Sequence, residues 1–160
     1  MIGASQYQWW FFLHIVGILG FVMAHGTSAG ASFQLRHERN PDRIRALLQV
    51  STTSTGVFYV SILLLLIAGI VMGFQGHWWG QGWIWTALIV LFLTMGAMYG
   101  VATPYYRRVR RIMQIQESGS AAVGPEEIEQ VMRAGRPGVI ALIGGIPLLF
   151  IVYLMVMKPY

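Results

Sequence analysis

Between Gly56 and Phe74 the chain reads GVFYVSILLLLIAGIVMGF, without a single Asp, Glu, Lys or Arg. As a helix this stretch rises roughly 28 Å, close to the ~30 Å hydrocarbon thickness of a bilayer. Its centre, Leu63 to Ile67, is apolar at every position and lacks the apolar/polar alternation of a membrane barrel strand. Three more charge-free segments of similar length follow from the same scan: about 9–33, 83–103 and 138–157. Lipid-exposed backbone must satisfy its own hydrogen bonds, so each segment is expected to be a helix. The reading is an all-α integral membrane bundle of four transmembrane helices, forming a single membrane domain over 1–160.

Composition agrees. Of 160 residues, 56% are hydrophobic and only 11% charged, against about 25% charged in soluble domains. The mean hydropathy is +0.59. These values exclude a disordered chain and argue strongly against a soluble globular domain. The absence of cysteine excludes a disulfide framework, an iron–sulfur cluster and a thiol nucleophile. Residues 1–8 hold no Lys or Arg, so the first segment lacks the positive flank of a signal peptide and reads as a retained helix.

Charge orients the bundle. Arg36, Arg39, Arg43 and Arg45 follow the first segment, and Arg107, Arg108, Arg110, Arg111, Arg133 and Arg136 follow the third. The loop between, Gln75 to Gly82, has no charge, and Lys158 is the one exception on that side. The positive-inside rule then puts the Arg-rich loops in the cytoplasm of a bacterial inner membrane and both termini outside. All six tryptophans, Trp9, Trp10, Trp78, Trp79, Trp83 and Trp85, fall on the outer side as an aromatic belt. The net charge of +5 is explained by anchoring to anionic lipid, with no nucleic-acid partner.

The loops carry helix signals. Asn40-Pro41-Asp42 predicts an N-cap, a proline in the first turn and an acidic group against the dipole, opening a helix that runs unbroken into the second crossing. Ser51 to Thr55 is a polar run at the bilayer entry whose hydroxyls can bond back to carbonyls one turn earlier. It reads as an interfacial transition or as a polar lining. Tyr105 to Gln116 is expected to lie along the inner surface, broken by Ser118-Gly119-Ser120. Pro125-Glu126-Glu127 starts a short helix that Gly135 and Pro137 end.

Small residues predict close helix packing at Gly26/Gly30, Gly69/Gly73 and Gly96/Gly100. The first helix extends this with Gly17, Gly20, Ala24, Ser28 and Ala31, and is expected at the centre of the bundle. Such spacing serves packing within one chain or between two. Gly144-Gly145 and Pro147 are expected to bend the fourth crossing.

Two ionisable groups lie inside the spans, His14 and His25. They sit 11 residues apart and so on one face, with roughly 16.5 Å of rise between them. A neutral imidazole on a bundle helix is a good axial ligand for haem b. Helices two to four hold no second His, so a second ligand would be a Met, a Tyr, water or a His of a second subunit; Met72 lies at roughly the depth of His14, and Met98 and Tyr99 nearer that of His25. The alternative is a pair of histidines hydrogen-bonded within the bundle. Copper is a looser match to nine Met and four His, and no zinc motif is present. The loop Gln75 to Trp83, with Trp78, Trp79 and Trp83, could hold a quinone or pigment ring against a partner. Nothing supports hydrolase or phosphotransfer chemistry.

The pattern Trp10…Leu13-His14…Gly17…Gly20, the Asn-Pro-Asp loop, the helix ending near Gly69, the Trp before the third segment and Pro104 followed by Arg107-Arg108 resemble an uncharacterised family of bacterial four-helix membrane proteins. The chain is also distantly similar to the copper-resistance D proteins and the HemJ-type protoporphyrinogen oxidases. That resemblance implies haem at His14, together with a Lys in a later helix. The third segment here holds no Lys.

The leading expectation is a non-enzymatic structural or accessory subunit of a larger membrane complex, with other membrane subunits or a second copy as partners. The alternative is a haem b protein of electron transfer or porphyrin oxidation. Copper or solute transport is the third.

Overall fold

The computed structural model describes residues 2–118, 124–134 and 137–160. Five α-helices account for nearly all of them: α1 (Ile2–Leu35), α2 (Pro41–Gln75), α3 (Gly82–Ser118), α4 (Pro125–Ala134) and α5 (Pro137–Met157). A 3₁₀ turn, Trp78–Gly80, lies between α2 and α3. The described residues contain no strand. α1, α2, α3 and α5 are long and apolar enough to cross a membrane.

α2 begins where the Asn-Pro-Asp signal predicts. The Asn40 side chain accepts from the backbone N–H groups of Asp42 at 2.9 Å and Arg43 at 3.4 Å, with Pro41 in the first turn. From there the helix is continuous to Gln75. In the polar run, Thr52, Ser54 and Thr55 each donate to the carbonyl four residues earlier at 2.8–2.9 Å. Their hydroxyls are thus satisfied within α2 itself.

The surface helix expected at Tyr105–Gln116 is instead the continuation of α3, which runs through Pro104 to Ser118. The reason is its apolar stripe. Tyr106, Val109 and Met113 are buried against Leu35 at the end of α1 and Ile44 and Leu48 at the start of α2. That contact buries the stripe more fully than a membrane surface would. The residues Gly119, Ser120, Gly135 and Arg136, read as breaks and loop charge, lie outside the described residues.

The helices associate as two pairs. α1 packs most extensively on α2 and α3 on α5, α1 against α5 joins the pairs, and α2 meets α3 only sparsely. The α1/α2 approach is set by Gly17 and Gly20. A Cβ at Gly17 would meet the Leu65 backbone nitrogen at 2.9 Å, and one at Gly20 would run into the Ser61 hydroxyl. Ala24 and Ala31 continue the same buried face. Gly26 lies about 180° around the helix from Gly17, and a Cβ at Gly26, Gly30, Gly96 or Gly100 would meet nothing within 4 Å.

Two apolar cores result, one at each end. Leu65, Trp83, Ala87, Leu91, Ile151 and Leu154 belong to the aromatic end. Leu35, Ile44, Leu48, Tyr106, Val109 and Met113 form the arginine end.

Candidate functional site

The sparse α2/α3 contact leaves a cavity at the aromatic end. It has a volume of about 280 Å³, is partly open on one side, and is walled by α1, α2, α3, α5 and the 3₁₀ turn. Its lining is almost wholly apolar, which suits a hydrophobic ligand held by a few polar groups.

His14 supplies the first of those groups. It is buried in the cavity wall. Its Nδ1 lies 3.0 Å from the Leu65 carbonyl of α2. A carbonyl can only accept, so Nδ1 carries the proton and Nε2 keeps its lone pair. The ring rests on Gly69, where a Cβ would stand 3.2 Å from Cε1. One α2 turn therefore fixes both the tautomer and the seat of the imidazole.

The Trp-rich loop supplies the outer wall. Trp83 is in the core at 3% exposure, Trp78 and Trp79 are half-buried, and all three line the cavity. Trp79 lies over Gly73, where a Cβ would approach its ring at 3.0 Å, and its buried Nε1–H has no partner among the described residues. Trp9 and Trp85 face outward at 65% and 52% exposure, as interfacial anchors do. The turn is fixed from several sides. The Trp85 indole donates to the Trp79 carbonyl at 2.9 Å, the Trp83 indole to the Gln81 side chain, and the Trp83 backbone N–H to the Tyr160 carbonyl at 3.2 Å.

Lys158 also lines the cavity. Its ammonium stands 4.2 Å from the centroid of the Trp78 ring and 5.8 Å from that of Trp83, a cation–π pair that holds the charge at the aromatic wall.

The structure thus brings His14, Met72, Gly69, Trp78, Trp79 and Trp83 to one cavity, with Gly73 directly behind it. His25 lies apart. Its ring interacts with the Ala141 carbonyl and packs on Gly144 of α5, and its Nε2 is buried without a partner among the described residues. Gly26, Gly30, Gly96 and Gly100 do not line the cavity, and a Cβ at any of them would meet no described residue of a neighbouring helix within 4 Å. No group of three or more His, Cys, Asp or Glu that could hold a metal ion occurs among the described residues.

Sequence reasoning missed Lys158 as a cavity residue, reading it only as an exception to the loop charges. Its signal was there: the chain's single lysine falls at the same end as the tryptophans. It also missed that Gly144 seats His25, which sequence spacing does not reveal because the two residues lie on different helices.

Haem b can be tested against these groups. Its iron takes an imidazole lone pair in an apolar pocket, and His14 Nε2 offers one. A thioether is present in the same cavity at Met72. Carboxylates at a ring edge need a cation, and Lys158 is available. The donor set fits.

No curated protein and no solved structure matches the chain. The family model for DUF2269, described as a predicted integral membrane protein, matches residues 10–159. That match begins within α1, covers the other three spanning helices whole, and shows that the chain belongs to this family of membrane proteins.

Proposed function

We propose that this protein binds haem b in the cavity at the aromatic end and serves electron transfer or porphyrin oxidation in the membrane. One observation carries the reading. His14 donates its Nδ1–H to the Leu65 carbonyl at 3.0 Å, which leaves Nε2 with its lone pair on a ring that lines an apolar cavity. Haem supplies one-electron chemistry when bound. The chain's residues would do the rest: His14 would ligate, Gly69 lets the imidazole sit close, the Trp78–Trp83 wall would exclude water, and Lys158 would meet an acidic ring edge. Met72 is the candidate second ligand.

The test is the visible spectrum of the purified protein before and after dithionite. A Soret band that sharpens with a new α band, and that disappears in His14→Ala, is expected. A spectrum that is flat, or unchanged by His14→Ala, overturns the assignment.

A second reading has its own support. Gly26/Gly30 and Gly96/Gly100 are small-residue pairs at which a Cβ would meet nothing within 4 Å among the described residues, as faces that pack on another chain would have. This favours an accessory subunit of a larger membrane complex or a homodimer. Gentle solubilisation of the native membrane followed by sizing tests it, and a lone monomer counts against it.

We also infer a bacterial inner membrane with both termini outside. The support is the separation of an arginine end from an aromatic end. The chain has no cysteine, so single-cysteine labelling is unambiguous. Gly80→Cys is expected to react with an impermeant maleimide in intact cells and Glu126→Cys only after lysis. The reverse pattern inverts the topology.

A further inference from the structure

A second groove opens between α2 and α3 at the opposite end of the molecule. It has a volume of about 210 Å³ and is bordered by Arg45, Gln49 and Thr52 on α2 and by Arg110 and Gln114 on α3. Leu48 and Met113, both buried, form its apolar floor. We propose that this groove holds the phosphodiester of an anionic phospholipid. The inference is independent of the haem reading.

Three observations lead there. The first is depth. The 24 residues from Thr52 to Gln75, at the aromatic end of α2, rise roughly 35 Å, just beyond the ~30 Å hydrocarbon layer, which sets Thr52 and Gln75 at the levels of opposite phosphates. The second is charge from two helices. Arg110 is fixed across the groove by its Nη2–H to the Thr52 hydroxyl at 2.7 Å. Arg45 pairs with the exposed Asp42 at 2.8 Å and borders the same groove. Arginines bordering the groove from two helices suit a phosphodiester, whose oxygens accept several charge-assisted bonds. The third is the mixed lining. Side-chain amides and a hydroxyl stand above an apolar floor, which gives the headgroup polar partners and the start of the acyl chains a dry surface. Free phosphate has no use for that floor.

The experiment follows melting of the full-length protein in neutral detergent with added phosphatidylglycerol, phosphatidylcholine or inorganic phosphate. Phosphatidylglycerol is expected to raise Tm in a saturable way and phosphatidylcholine is not. Arg110→Gln is expected to weaken the apparent affinity about tenfold, while Arg108→Gln, which removes the same charge outside the groove, leaves it unchanged. Should Arg110→Gln fail to fold, Arg45→Gln reads the same loss from an exposed position. Equal weakening by Arg108→Gln means diffuse surface charge and overturns the site. An equal shift with phosphatidylcholine overturns the charge recognition. Saturation by millimolar inorganic phosphate alone assigns the groove to free phosphate and overturns the lipid.

Discussion

His25 of α1 meets the backbone of Gly144 in α5 with the Cε1–Nε2 edge of its ring, so close that a Cβ at 144 would run into both atoms and stand 2.9 Å from Nδ1. This is one of the contacts that join the α1/α2 pair to the α3/α5 pair. Gly144→Ala must therefore displace the imidazole or push the helices apart, at a cost of about 1–3 kcal/mol. The expected result is a lower Tm in detergent. The double variant His25→Ala/Gly144→Ala should recover part of that loss, because the clash is then gone. A Tm for Gly144→Ala equal to wild type would remove His25 from the interface.

Gly17 and Gly26 sit on the same helix and should respond oppositely. Gly17 faces the Leu65 backbone, which cannot yield as a side-chain tip can, so Gly17→Ala is expected to lower Tm more than Gly144→Ala. Gly26 faces open space. Gly26→Ala should be neutral, or stabilising by up to about 1 kcal/mol through helix propensity. If Gly26→Ala instead shifts the protein to a smaller species in a sizing column, that face packs on another chain.

Lys158 offers the cavity a charge while His14 offers it a ligand, and the two contributions should separate. Lys158→Met is expected to weaken haem retention while leaving the position of the Soret band unchanged. His14→Ala should remove the band altogether. Haem titration by absorbance reads both. A band shifted by Lys158→Met would mean that the lysine touches the iron.

At the arginine end, the Glu38 carboxylate accepts from the backbone N–H groups of Asn40 at 3.0 Å and Arg39 at 2.9 Å. These bonds, the one to Asn40 foremost, hold its carboxyl below the usual range, with Arg43 and Arg39 adding to the effect. A lowered folded pKa means stability that is present above the unfolded value and lost as pH falls through the folded one. The Tm difference between wild type and Glu38→Gln should therefore be largest near neutral pH and vanish in acid. A pH-independent difference would show that the carboxylate bonds do not set it.

Much of the fold was legible because its signals are local. Charge-free runs such as Gly56–Phe74 and the Asn40 cap depend only on neighbours in sequence. The fate of Tyr105–Gln116 did not, since its apolar stripe could meet a lipid surface or another helix equally well, and only Ile44 and Leu48 decide it. The site was legible in parts. His14, Met72 and the tryptophans could be named as separate candidates, but their convergence depends on how far α2 stands from α3. Small residues were visible everywhere, whereas which of them meet a neighbour depends on helix rotation. Gly17 does and Gly26 does not.

The back-bonded hydroxyls of Thr52, Ser54 and Thr55 also bear on bilayer thickness. Outward-facing indoles at Trp9 and Trp85 give the aromatic end its waterline, and Arg110, donating to the Thr52 hydroxyl at 2.7 Å, sets a stop at the other. Ser54 and Thr55, whose hydroxyls already bond within α2, can be submerged by a thicker bilayer at little cost. Carrying Thr52 under as well would take a guanidinium with it, so the bundle has a slack of about one helical turn at that face and none beyond it.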